Sequence, residues 1–252
     1  MPKLGFRLFL FMASLLCASQ PVTAGEVHTV QNGQREVQLF WQPVAEPAGT
    51  VLMFSGGDGG FGSVWNNRPG SDNFLVRTMD LWSAKGLNVA YFGDLHADRH
   101  STQHMADIQA VLQWIEAQDP SPIYLVGTSR GTISAAYAAA RLPDTRVRGL
   151  ALTSTMQEVV STPGLAGLSI PVLDLSHAQD GCSLTPPGAG PAIIEALKAS
   201  PRKAYIEVSG GSAYGNPCKA RAHHGFNGIE SVVVDTVANW LLQPDPGDGP
   251  SR

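Results

Sequence analysis

The sequence predicts an α/β protein, a mostly parallel central sheet with helices on both faces. Three observations lead there. Short apolar runs recur at 49–54, 88–92, 123–127, 147–153, 170–175 and 203–208, lengths that suit buried strands rather than helices. Between them lie stretches whose apolar residues fall at helical spacing. Several of the runs end in glycine-dense turns, as tight junctions between strand and helix require. A chain of 252 residues, 43% hydrophobic and 15% charged, can bury one sizeable core, so a single domain is expected over 25–242.

Residues 1–24 read as an export signal. Lys3 and Arg7 supply the positive start, Leu8 to Cys17 the apolar stretch, and Val22-Thr23-Ala24 a small-residue cleavage site before Gly25. The apolar stretch is too short to span a bilayer, and Leu16 argues against lipid attachment at Cys17. No other segment is apolar enough to cross a membrane, so no stable insertion is expected once the signal is removed. Losing Lys3 and Arg7 takes the formal charge from −4 to −6, which argues against a nucleic-acid partner. Cys182 and Cys218 then remain in an oxidising, periplasmic or secreted setting, where an even pair reads as one disulfide.

The mature chain opens with two antiparallel edge strands over 26–41, Val37, Leu39 and Trp41 marking alternate positions. The run at 49–54 ends in Ser55-Gly56-Gly57-Asp58-Gly59-Gly60-Phe61, the most glycine-dense segment. Such a loop can cradle an anion with backbone N–H groups. It lacks the Lys-Ser/Thr ending of a phosphate loop and the spacing of a dinucleotide fingerprint, and no cofactor is expected. Residues 73–84 predict a helix with Phe74, Leu75, Met79 and Trp82 facing inward. His96, His100 and His104 are spaced by four, which would gather a metal only if one helix carried all three. Ser101 or Thr102 instead caps a helix running to Gln118, with Met105, Ile108, Leu112 and Ile115 as its core stripe. The three histidines are therefore taken as solvated loop residues, and no metal is expected. After the run at 123–127 a helix continues through Ala140 to Pro143. Strands at 147–153, 170–175 and 203–208, helices at 190–199 and 229–242, and a Pro/Gly-rich tail over 243–252 expected to be disordered complete the chain.

One junction carries chemistry. Ile123 to Val126 leads into Gly127-Thr128-Ser129-Arg130-Gly131, and an alanine-rich helical pattern follows at once. Strand, sharp turn and helix in that order form a nucleophile elbow, with the serine exposed between two residues that must lack a Cβ. The helix start offers the Arg130 N–H and a positive dipole end where an oxyanion would form. In a chain with 27 glycines the motif can arise by chance around an ordinary turn serine, so its partners decide. Ligands of parallel sheets bind at the carboxyl ends of strands. Asp180, just beyond the run at 170–175, and the adjacent His223 and His224 fall there. Asp174 competes with Asp180 but lies inside the apolar run, and periodicity cannot separate the two histidines.

On these residues the chain resembles the α/β-hydrolases from about residue 34 to 242. The matching pieces are Gly127 to Gly131, Asp180 after Pro171 to Leu175, and His224-Gly225-Phe226, the last similar to dienelactone-hydrolase-type members and related esterases. The resemblance implies that Ser129 is the nucleophile, His224 the general base and then acid, and Asp180 the carboxylate that orients it. His224 is preferred over His223 because a glycine follows it. The N–H groups of Arg130 and Gly57 would form the oxyanion hole, although many relatives begin that loop with His-Gly where this chain has Ser55-Gly56. The implied activity is hydrolysis of a small carboxylic ester. Amide or peptide cleavage by the same residues, and a non-catalytic binding protein on the same shell, are the alternatives. A Cys182–Cys218 bond would tie the acid loop to the histidine loop. The short 154–169 connection leaves little material for a lid, so an open cleft is expected. The loops at 61–72 and 93–101 are its candidate roof, and Phe61, Trp65 and Phe226 its candidate apolar walls. The Arg130 side chain could meet an anionic substrate, with a structural role as the plainer reading.

Overall fold

The computed structural model describes residues 24–142 and 146–244. The signal reading up to Thr23, the tail beyond residue 244 and the helix end at Pro143 lie outside the described residues.

Strands β1 (Glu26–Asn32) and β2 (Arg35–Gln42) form an antiparallel hairpin, and β3 (Gly49–Phe54) leads into the glycine loop. A two-stranded ribbon, β4 (Val64–Trp65) and β5 (Arg68–Pro69), stands in the following segment. Helices α1 (Phe74–Arg77) and α2 (Met79–Ser83) precede β6 (Leu87–Phe92). Then come α3 (Thr102–Gln118), β7 (Ile123–Thr128), α4 (Gly131–Arg141), β8 (Val147–Thr153), β9 (Val172–His177), α5 (Ala189–Ala196), β10 (Lys203–Val208) and α6 (Glu230–Leu241).

The main sheet has the order β1-β2-β6-β3-β7-β8-β9-β10, parallel from β6 to β10 and antiparallel at the β1–β2–β6 end. Only β1 is an edge at that end, because β2 pairs on its other side with β6. Alternate side chains of the buried strands point to opposite faces. Leu52, Phe54, Leu125 and Leu152 pack with α3 and α4 residues such as Ile108 and Ile133. Val51, Met53, Val126 and Leu173 pack on the other face with Phe74, Trp82 and Val237 of α1, α2 and α6. Two apolar layers therefore enclose the sheet, as its continuous apolar runs require.

The helix expected over 73–84 divides at Thr78. Thr78 Oγ1 donates to the Phe74 carbonyl at 2.9 Å and accepts from Trp82 Nε1 at 3.1 Å, so a side chain takes the place of a backbone partner. The helix expected at 190–199 ends early, at Ala196, and the strand expected to stop at 175 runs on to His177. The 154–169 connection holds only two single-turn helices, at 157–161 and 165–167. Among the described residues no helix is long and apolar enough to cross a membrane.

Candidate active site

Strand β3 has β6 on one side and β7 on the other, and the connections leave it in both directions. Such a switch point opens a crevice beyond the strands' carboxyl ends. Phe54 pairs with Gly127, so the loop after β3 and the elbow after β7 emerge side by side.

At the elbow Ser129 has φ +52°, a left-handed conformation that a non-glycine residue adopts only when its surroundings impose it. Here Ser129 N donates to Thr153 O at 3.0 Å, while Thr132 donates to Ser129 O through its N–H at 2.9 Å and its hydroxyl at 2.6 Å. The flanking glycines are there for space. A Cβ on Gly131 would sit 1.9 Å from Phe54 O, and one on Gly127 would sit 2.6 Å from Gly131 O. Gly56 passes equally close, since its Cβ would fall 2.7 Å from the Ser129 Cβ. The Arg130 N–H is one of the donors that the first turn of a helix leaves without an intrahelical acceptor.

His224 stands in a one-turn helix at 223–225, after a chain reversal that brings the Gly225 Cα against Ala220. A Cβ there would lie 2.0 Å from Ala220 O, which is the local reason for a glycine after the histidine. His224 Nδ1 lies 2.9 Å from Asp180 Oδ2, and both side chains are almost wholly buried, at 6% and 3% exposure. Asp180 accepts in addition from Cys182 N and from Thr185 Oγ1, each at 2.9 Å. Ser154 Oγ donates to His224 O at 2.7 Å. With the Nδ1 proton directed to the carboxylate, a neutral His224 keeps Nε2 as an acceptor. Ser129 and His224 line one cavity of about 220 Å³, together with Gly56, Gly57, Asn73, Phe74 and Lys219.

His223 goes elsewhere. Its ring stacks on His177 at 4.3 Å, and His177 is itself fixed between Gly210 O and Gln179 N. Asp174 is also set apart. Completely buried in β9, it accepts from Thr155 Oγ1 at 2.6 Å, and burial pushes its carboxyl up to about 7. Its Oδ1 has no partner among the described residues and faces Gly190, where a Cβ would come within 2.4 Å. The Cys182–Cys218 disulfide joins the acid loop to the histidine loop, and Cys218 borders the cavity.

Several expectations need correction. Phe226 is fully buried, packed on Phe74 at 5.1 Å, and Trp65 is 78% exposed on the β4–β5 ribbon. Phe61 packs on Tyr91 at 5.7 Å. None of the three lines the cavity, whose apolar wall is Phe74. Ser71 and Asp72 of the expected roof do border it, whereas the loop at 93–101 lies behind the glycine loop instead. The Arg130 side chain is a clamp: it donates to Asp58 Oδ1 at 3.0 Å, to Gly57 O at 3.3 Å and to Ala97 O at 2.9 Å. His104 is not a solvated loop residue. It is buried in α3, its Nε2 2.9 Å from Ser134 Oγ, and burial first, then the Arg99 charge, lower its pKa to about 3. His96 is held by Asp107 at 2.7 Å.

Thr185, Ser154, Tyr91 and Arg99 escaped the sequence reading, since none belongs to a periodic stripe or a motif. Tyr91 Oη donates to Gly60 O at 2.8 Å and bonds Ser55 Oγ at 2.8 Å. Burial raises that hydroxyl to about 12, so it stays protonated and anchors the far end of the glycine loop.

No protein-family model matches the chain, and no curated protein matches it by sequence. Solved structures do match it by shape. A dienelactone hydrolase from Anabaena variabilis is 15% identical with a TM-score of 0.64, over 89% of this chain and 98% of that one. Est1E from Butyrivibrio proteoclasticus is 15% identical with a TM-score of 0.63, over 86% and 98%. An α/β serine hydrolase without lid from Xanthomonas campestris is 17% identical with a TM-score of 0.55, over 87% and 92%. At these identities the likeness is one of architecture, and with the sheet order described above it establishes that the chain has the α/β-hydrolase fold.

Proposed function

We propose that this protein is an exported serine hydrolase that cleaves a small carboxylic ester. The observation that carries the reading is the one cavity shared by Ser129, at a strained elbow, and His224, bonded to Asp180. Ser129 attacks the carbonyl carbon while His224 Nε2 takes its proton. Asp180 holds the imidazole in the required tautomer and stabilises the imidazolium that forms. The N–H groups of Arg130 and Gly57 receive the oxyanion. The tetrahedral intermediate collapses as His224 returns the proton to the leaving alcohol, and water then releases the acid from Ser129 by the same steps.

Esterases among the structures of similar shape support the ester over the amide. The cavity of about 220 Å³ favours a short acyl group, being smaller than the usual drug-sized pocket. The disulfide supports an oxidising compartment, in keeping with the signal reading of residues 1–24. A panel of p-nitrophenyl esters of increasing chain length, run beside aminoacyl anilides, tests this. The expected result is turnover of acetyl and butyryl esters that Ser129→Ala abolishes. Turnover confined to the anilides would replace the ester with an amide, and turnover surviving Ser129→Ala would end the reading.

A further inference from the structure

Arg99 lies behind the glycine loop and is 2% exposed. Its Nη2 donates to Gly57 O at 2.9 Å and its Nη1 to Ser134 Oγ at 3.2 Å. Among the described residues no carboxylate comes within ion-pair distance of it, and its Nε finds no partner. Burial first, and the nearby Arg130 charge second, lower its pKa to about 10, which still leaves a cation at neutral pH. Asp58 acts on it only from beyond ion-pair distance. A buried cation with no carboxylate in direct contact is costly to retain, so its contacts indicate what it is kept for.

Behind Arg99 the contacts are fixed. His104 is neutral, so its Nε2 can accept the Ser134 hydroxyl proton and leave the Ser134 lone pairs to Arg99. The guanidinium is thereby seated against both α3 and α4. In front of it is a loop whose Gly57, Gly59 and Gly60 have φ of +59°, +75° and +84° and no side chains to hold them. Gly59 N donates to Gly56 O at 3.3 Å and so orients the peptide before Gly57. Arg99, at 2.9 Å, and the partly exposed Arg130, at 3.3 Å, orient the peptide after it. Both dihedral angles of Gly57 are set by these bonds.

We propose that Arg99 is a positioning residue of the hydrolytic site, pinning the Gly57 carbonyl and thereby fixing the backbone donor that the glycine loop offers to the oxyanion. The inference rests on the serine hydrolase reading and adds to it the anchor of the less secure half of the oxyanion hole.

The test compares Arg99→Met and Arg99→Lys with the wild type on p-nitrophenyl acetate. Arg99→Met is expected to lower kcat by about tenfold to a hundredfold with KM held within about twofold, because a displaced donor is felt in the transition state. Lysine keeps the charge with a less specific donor geometry, so Arg99→Lys should recover part of that loss. Labelling by a fluorophosphonate should reach one adduct per chain in all three proteins, with its rate falling in step with kcat. A wild-type kcat in Arg99→Met would overturn the proposal. So would a loss seen mainly as raised KM and incomplete labelling that lysine does not relieve, since that marks a purely structural residue. If Arg99→Met does not fold, Arg99→Lys decides alone: a kcat several-fold below wild type at full labelling supports the proposal, and an unchanged kcat refutes it. A wild type that neither labels nor turns over ester would remove the hydrolase reading itself, and this inference with it.

Discussion

Residue 129 is held against its own conformational preference. A non-glycine residue at φ +52° costs on the order of 1–3 kcal/mol, and the bonds from Thr132 and to Thr153 maintain it. That conformation leaves the Ser129 side chain beside the cavity that His224 also lines. The tautomer of His224 depends in turn on Asp180 accepting at Nδ1. Asp180→Asn should keep the fold, because Asn can still accept from Cys182 N, yet lower kcat by about 10⁴-fold through the wrong tautomer. His223→Ala should leave kcat within a few-fold, since that ring stacks on His177. Steady-state kinetics of the two variants check both statements, and equal losses in the two would contradict them. Asp174 predicts a pH effect that is independent of catalysis. Its folded-state pKa, near 7, lies above that of an unfolded carboxyl, so the neutral form stabilises the fold below about pH 4 and that contribution is lost as pH rises through about 7. The melting temperature of Asp174→Asn minus that of wild type should therefore be more positive at pH 8 than at pH 5. His104, held neutral, acts in the opposite direction below about pH 6.5, where its unfolded form gains a proton, but it is common to both proteins and cancels. An identical difference at both pH values would show that Asp174 is ionised throughout.

Elements place these residues, and strand ends do most of it. β3 and β7 deliver the glycine loop and Ser129 side by side, while β9 delivers Asp180 three residues beyond its last pairing. The histidine comes from a loop with little regular structure, and there the disulfide matters. A bridge across 36 residues stabilises by roughly 3–4 kcal/mol in the chain-entropy model. Replacing both cysteines with alanine should lower the melting temperature by on the order of 10 °C and reduce kcat more than it raises KM. A melting temperature within about 2 °C of wild type would show that the bridge is dispensable. The strands were legible because buried parallel strands appear as unbroken apolar runs. The elbow was legible because only glycine leaves room against Phe54 O and Gly131 O. The break at Thr78 was not, because one hydroxyl that bonds a backbone carbonyl leaves no mark on helical periodicity. Nor was the aromatic wall, since Phe61, Phe74 and Phe226 look alike until the tertiary packing sorts them.

At the scale of the whole molecule, an eight-stranded sheet sandwiched between α3–α5 and α1, α2 and α6 provides a rigid floor. The candidate site lies beyond the carboxyl ends of its strands. The candidate residues Ser129, Asp180 and the pair His223 and His224 could be placed from their order along the chain, because strand topology sends successive carboxyl ends to the same crevice, while the choice of His224 came from the resemblance to the α/β-hydrolases. Their supports could not be placed that way: Arg99, Ser154 and Tyr91 act through hydrogen bonds to residues 31 to 70 positions away in sequence, and Thr185 through its bond to Asp180 five residues before it. The central claim is that Ser129 is an activated nucleophile because His224 and Asp180 stand behind it. The most direct measurement is intact-protein and peptide mass spectrometry after fluorophosphonate treatment. One adduct is predicted, on Ser129, at full occupancy in wild type, lost in Ser129→Ala and strongly slowed in His224→Ala. An unmodified wild-type protein, or an adduct on any other residue, would contradict the account.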